Sequence, residues 1–125
     1  MKGLSVKQPW ASRIASGAKT IETRTWSTDY RGDLLIHASR CPRSKNSGKA
    51  LCVVEVRHCR PMRTDDQEAA MCVVYPGAVS WLPANVRPIN PIPVRGALGL
   101  WHVGDDVLAK LEFVLDQAIW TKRYG

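Results

Sequence analysis

Four prolines fall in the eleven residues from Pro83 to Pro93. Proline locks φ and carries no backbone N–H, so a helix interior is closed to this segment and a regular central strand resists it. It must run extended, at a sheet edge or as a loop. The apolar segments around it are short. Leu34 to Ala38 reads as a mostly buried strand with His37 near its exit. Leu51 to Arg57 alternates, with Cys52, Val54 and Val56 on one face and Val53 and Glu55 on the other. Val79 to Leu82 and Gly96 to Val103 add two more strands, and Gly99 marks a bulge or a close approach in the second.

Helical patterns sit near the two ends. Pro9 suits a first helical position, Trp10, Ala11, Ile14 and Ala15 make an apolar stripe, and Gly17 suits the stop. Asp105 and Asp106 open a C-terminal helix over about 105–120, with Val107, Leu108, Leu111, Val114, Leu115, Ala118 and Ile119 as its apolar face. Residues 65–71 support one or two further helical turns, and Cys41 to Lys49 is a polar, basic loop. The expected architecture is α+β: one domain over residues 1–125, built as a small β-barrel or curled sheet packed with helices.

Thr20 to Trp26 has β-branched residues at alternate positions and reads as a strand. Thr20, Glu22, Arg24 and Trp26 then share one face, so Glu22 and Arg24 project into the same space. As a pattern alone, this is a same-face ion pair on a strand, worth little if exposed.

Net charge is +7, with an uneven distribution. Residues 1–63 hold 13 Lys and Arg against 4 Asp and Glu, whereas residues 64–125 hold 5 against 7. A basic first half suits a polyanionic partner. No apolar run approaches the roughly 20 residues needed to span a bilayer, and no apolar signal core follows Met1. The chain is expected to be cytoplasmic and to engage no membrane. Cys41, Cys52, Cys59 and Cys72 lack paired C-x-x-C spacing, which disfavours a structural zinc site, so no metal or cofactor is expected.

Several segments together resemble one family. Leu4-Ser5-Val6-Lys7-Gln8-Pro9-Trp10-Ala11 resembles the opening of ASCH domains, and Gly17-x-Lys19-x-x-Glu22-x-Arg24 matches their G-x-K-x-x-E-x-R signature at every fixed position. Tyr30-Arg31-Gly32, Leu35 to Ser39, Trp81 to Pro88 and Gly96 to Trp101 extend the likeness over roughly residues 3–103. The resemblance implies a PUA-like β-barrel of five to six strands, with a short N-terminal helix and a C-terminal helix packed on it. It also implies an RNA-binding module whose signature lines a cleft beside the barrel. Relatives have been proposed to act in transcription coactivation, RNA processing and translation. Some are enzymes: N4-acetylcytidine amidohydrolases use a Lys and a Thr of the same strand, and at least one member is described as a ribonuclease. Here Lys19 keeps the Lys position and Glu22 replaces the Thr, which puts amidohydrolase chemistry in doubt.

The candidate binding residues are Lys7, Trp10, Lys19, Glu22, Arg24, Tyr30, Arg31, His37 and Trp81. Lys19 offers a point charge and Arg24 a planar fork for phosphate or a base edge. Glu22 can accept from a base amino group or hold the two cations. Tyr30, Trp10 and Trp81 offer rings for stacking on an unpaired base, although Trp10 also falls on an apolar helix face. Lys19 and Glu22 are the residues for any catalysis, as base or acid. Ser5 and Ser39 show no base partner in the sequence. Three readings stand: a binder of single-stranded RNA or a modified nucleoside, a hydrolase acting on RNA or a nucleoside in the same cleft, and a protein-interaction module using the C-terminal helix.

Overall fold

The computed structural model describes residues 1–125. Six strands form one sheet: β1 Lys2–Val6, β2 Glu22–Arg24, β3 Gly32–Ala38, β4 Lys49–Pro61, β5 Val79–Pro93 and β6 Leu100–His102. Their spatial order is β2-β5-β4-β3-β1-β6. Four short helices accompany them: α1 Trp10–Ser16, α2 Gln67–Ala70 (entered through a 3₁₀ turn, Thr64–Asp66), α3 Asp105–Leu108 and α4 Gln117–Tyr124. No helix is long and apolar enough to cross a membrane.

The sheet curls because its longest ladder is irregular. β4 and β5 pair antiparallel over most of their length, with register breaks between Ala50 and Cys52, Val53 and Glu55, and Val56 and His58. Such breaks bend a strand and increase its twist. The result is a half-barrel with a core on each face. Leu4, Val6, Leu34, Ile36, Val54, Val56 and Trp81 face one side with α1 residues Ala11, Ile14 and Ala15 and with Trp120 of α4. Leu35, Val53, Ile89, Val94 and Val103 face the other, against Val107, Leu108 and Leu111. Leu34, Leu35 and Ile36 thus alternate sides, as strand geometry requires.

The α+β half-barrel agrees with the fold expected from the sequence, but several boundaries differ. β1, absent from that reading, lies between β3 and β6, parallel to the first and antiparallel to the second. The strand expected over Thr20 to Trp26 shrinks to Glu22–Arg24, because the N–H groups of Thr20 and Ile21 both donate to the Ala69 carbonyl instead of to a strand. The proline-rich segment is extended and continuous with Val79–Leu82, forming one 15-residue strand. β2 covers β5 only at Val79–Trp81, leaving the proline-rich remainder without a strand on that side. The 96–103 strand is confined to Leu100–His102.

The helix expected over about 105–120 is two helices with a break. The Asn90 N–H donates to the Glu112 carbonyl (2.8 Å) and the Val114 N–H to the Pro88 carbonyl (2.9 Å), so residues 112–114 run along β5 instead of coiling. Asp116 then starts α4 afresh, its side chain accepting from the Ile119 N–H (2.8 Å). Trp120, fully buried, donates its indole N–H to the Ile89 carbonyl and pins α4 to β5.

Candidate functional site

Gly17 closes α1 in a left-handed conformation (φ 90°), which glycine adopts without steric cost. The Lys19 N–H then donates to the Arg13 carbonyl (2.9 Å), turning the chain back under the helix. This places Lys19 in the interior with 4% of its surface exposed. Its ammonium donates to the Ala70 carbonyl at the end of α2 and lies 3.7 Å from the Glu22 carboxylate. Burial holds the Lys19 pKa below its ordinary value, and the Glu22 charge opposes that shift.

Glu22 begins β2 opposite Trp81, with 8% of its surface exposed. One carboxylate oxygen faces Lys19 and accepts the Thr23 N–H (3.0 Å), while the other lies 3.8 Å from Nε of Arg24. Arg24 donates through Nη2 to the Ser5 carbonyl (2.6 Å). Its Nε is buried and has no hydrogen-bond partner. An orphaned buried donor is uncommon in a folded protein. The three residues therefore form a cation–anion–cation row with one unsatisfied N–H.

The row lines a cleft of about 270 Å³ whose rim also includes Val6, Lys7, Trp10, Thr23, Ala70, Met71, Cys72 and Tyr75. Arg13 and Lys19 lie 5.2 and 5.5 Å from the centre of the Trp10 ring, so this half-buried ring keeps company with two cations. Five of the nine sequence candidates thus meet in one place: Lys7, Trp10, Lys19, Glu22 and Arg24.

The other four lie elsewhere. Trp81 is buried, donates its indole N–H to the Trp26 carbonyl (3.0 Å) and meets the Trp26 ring edge-on at 4.9 Å; it is core, not a free stacking surface. Tyr30 packs against the main core, and its hydroxyl donates to the Asp33 carbonyl. Arg31 is exposed and bonds the Thr28 and Tyr30 carbonyls. His37 is buried on the opposite side of β1, between Ser5 and the Val94 carbonyl. A carbonyl only accepts, so the His37 Nε2 (2.7 Å from it) carries the proton; Nδ1 of the neutral ring then accepts from the Ser5 hydroxyl (2.9 Å). Ser5 therefore has the base partner that the sequence did not show. Gly96 packs so close to the pair that a Cβ there would overlap Ser5 Oγ, and the pair lines a shallow, open concavity with Ser39, Arg40 and Cys41.

Sequence reasoning missed Met71, Cys72 and Tyr75, which reach the cleft from the segment after α2. That segment is fastened by Asp66, which accepts from both guanidinium nitrogens of Arg60 (2.6 and 2.7 Å), the Arg63 N–H and the Ser80 hydroxyl. The Arg60 guanidinium holds the Asp66 carboxyl well below the usual carboxylate range. No three His, Cys, Asp or Glu side chains converge in a metal-binding group.

A curled six-stranded sheet packed with short helices, carrying a buried Lys-Glu-Arg row beside α1, makes this an α+β half-barrel domain with a charged cleft. The ASCH domain profile matches residues 4–93, and the chain belongs to that family. The crystal structure of ASCH from Zymomonas mobilis superposes with a TM-score of 0.70 at 15% identity, covering 89% of this chain and 95% of that one. A point mutant of the Zymomonas mobilis protein gives 0.66 at 13% identity, covering 89% and 98%. At that identity the likeness speaks for the fold. Human activating signal cointegrator 1 is 53% identical over 36 residues, and the mouse protein 50% over 36. That match covers 29% of this chain and spans 6% of each of those much longer proteins.

Proposed function

We propose that this ASCH domain binds RNA by taking one unpaired or modified nucleotide of a single strand into the Lys19–Glu22–Arg24 cleft. The observation that carries the reading is the Lys19–Glu22–Arg24 row itself, two cations and a carboxylate lining one open cleft. Arg24, whose side chain is partly exposed, offers its guanidinium to a ligand phosphate or base edge. Glu22 adds an acceptor for a base amino group, and Lys19 adds positive charge behind it. Trp10 and Tyr75 supply aromatic surface at the rim, where a splayed base stacks. The volume, about 270 Å³, suits one nucleotide and not a duplex. The partial match to activating signal cointegrator 1 is in keeping with a nucleic-acid-related role.

Titration of short single-stranded RNAs at low salt tests this. Lys19→Ala and Arg24→Ala are each expected to weaken binding about tenfold or more, the loss of one charge-assisted hydrogen bond. Absence of binding by the wild-type protein sinks the reading.

A second reading is hydrolysis of RNA or of a modified nucleoside in the same cleft. Lys19 favours it, since an amine with a lowered pKa within reach of a carboxylate is suited to proton transfer. Incubation with a panel of modified nucleosides and RNAs tests it, and unchanged substrates throughout would rule it out.

A further inference from the structure

The basic segment after β3 is a built surface and not a loose solvated loop. Ser44 and Ser47 bond each other through backbone and side chain, and the Gly48 N–H donates to the Ala38 carbonyl (2.7 Å). The Asn46 amide donates to the Tyr124 carbonyl (3.0 Å), and Lys45 Nζ to the Gly125 carbonyl (2.8 Å). The Gln8 amide donates to the Lys45 carbonyl (2.9 Å), tying the segment to the start of α1.

These ties shape a second concavity of about 650 Å³, lined by Arg40, Cys41, Arg43, Ser44, Asn46, Ser47 and Lys49. Its wall contains three cations, hydroxyl and amide groups, and no carboxylate. Arg40, Arg43 and Lys49 take part in none of the ion pairs of the molecule, which lie at Glu22, Glu55, Asp66 and Asp33. Unpaired cations held around one hollow lower the free energy of an anion placed there.

Topology brings this hollow to the same end of the sheet as the cleft. β1 and β3 run parallel, and their last residues, Val6 and Ala38, are partners. The chain therefore leaves the sheet at the same edge twice, once into Lys7 and Gln8 and once into Ser39 and Arg40. Lys7 and Val6 line the cleft, and Arg40 lines the hollow.

We propose that the Arg40–Arg43–Lys49 hollow is a second binding site, which takes the phosphodiester backbone of the RNA strand whose nucleotide occupies the cleft. This inference rests on the cleft reading and adds an extended footprint to it. Contacts of this kind carry no sequence information, set register and lend affinity that falls with salt.

The test compares a 3-nucleotide and a 12-nucleotide single-stranded RNA by fluorescence anisotropy across a salt series. The proteins are wild type, Lys19→Ala, the triple Arg40→Ala/Arg43→Ala/Lys49→Ala, and a control triple of equal charge, Lys2→Ala/Arg57→Ala/Lys110→Ala. Lys19→Ala is expected to weaken both RNAs. The hollow triple is expected to leave the 3-mer unchanged, to weaken the 12-mer about tenfold or more, and to flatten its salt slope by roughly 2 units, three lost contacts on a single strand. The control triple is expected to leave that slope near wild type.

If the hollow triple and the control triple behave alike, or the 3-mer weakens as much as the 12-mer, the inference is overturned while the Lys19 result leaves the cleft reading standing. If inorganic phosphate at matched phosphate concentration displaces the 12-mer as well as unlabelled RNA does, the hollow is a free-phosphate site and the inference also falls. If wild type binds neither RNA, the cleft reading fails first and takes the inference with it.

Discussion

The ammonium of Lys19 donates to the carbonyl of Ala70, the last residue of a four-residue helix. A helix that short has little stability of its own. The position of the buried cation therefore depends on what fixes α2: the Thr20 and Ile21 N–H groups on the Ala69 carbonyl at one end, and at the other Asp66, held by Arg60, Arg63 and Ser80. The floor of the cleft and the Asp66 cluster form one mechanical unit, though they share no side chain.

Asp66→Ala is expected to destabilise the protein by about 1–3 kcal/mol, because it takes the acceptor away from the buried Ser80 hydroxyl and from the Arg63 N–H. The Arg60 pair sets an acid limit as well. The folded-state pKa of Asp66 lies below its ordinary value of 3.8, so its contribution is full above the unfolded value and is lost as pH falls below it. Denaturant melts at neutral pH and near pH 3 measure both effects. A variant as stable as wild type at neutral pH would show that α2 is anchored by other means.

Lys19 has the opposite sign. Its folded-state pKa lies below 10.5 because burial disfavours the charged amine. Between the folded value and 10.5 the unfolded chain holds more protons, so this residue's contribution makes stability rise with pH across that window. RNA affinity is expected to move the other way, falling as the ammonium is lost at a lower pH than an exposed lysine would need. Lys19→Arg, which does not deprotonate, should flatten that decline. Equal pH profiles for wild type and Lys19→Arg would exclude Lys19 as the titrating group.

The legible and illegible parts of this chain differ for physical reasons. Strand alternation from Cys52 to Val56 is readable because Cys52, Val54 and Val56 face one core and Val53 the other, and the charged cleft row is readable because Lys19, Glu22 and Arg24 lie within six residues. Tyr75 and Cys72 were invisible as cleft residues because they arrive from a loop fixed by a contact across more than fifty residues, Lys19 to Ala70. The C-terminal helix was overextended because Leu111 and Val114 keep helical spacing while serving the two cores from an irregular segment. Trp81 could not be assigned from sequence, since only the fold shows its ring edge-on to Trp26.

His37 adds a weakness to mild acid. Burial lowers its pKa, with backbone carbonyls at Val94 and Gly48 opposing the shift. Below 6.5 the unfolded chain takes up a proton that the folded ring resists, so stability falls as pH drops from that value toward the folded pKa. Protonation also ends the ability of Nδ1 to accept from Ser5. Thermal melts from pH 7.5 to 5 should show this loss, and His37→Gln should show less of it. A wild-type melting temperature that is flat across that range would contradict the assignment.

Gly96→Ala tests the close packing against the same pair. A Cβ at Gly96 would overlap Ser5 Oγ and lie 2.7 Å from the His37 ring, inside any tolerable separation. Overpacking of this kind costs about 1–3 kcal/mol. Ser5→Ala removes the nearer clash and leaves the ring, so the double variant should lose less than the sum of the single changes, with a coupling of about 0.5 kcal/mol or more. Because this cluster lies on the far side of β1 from Lys19, 3-mer RNA affinity should be unchanged in every variant that still folds. Additive stabilities would show that the strap carrying Gly96 moves aside freely, and a change in RNA affinity would place the pair within the binding site after all.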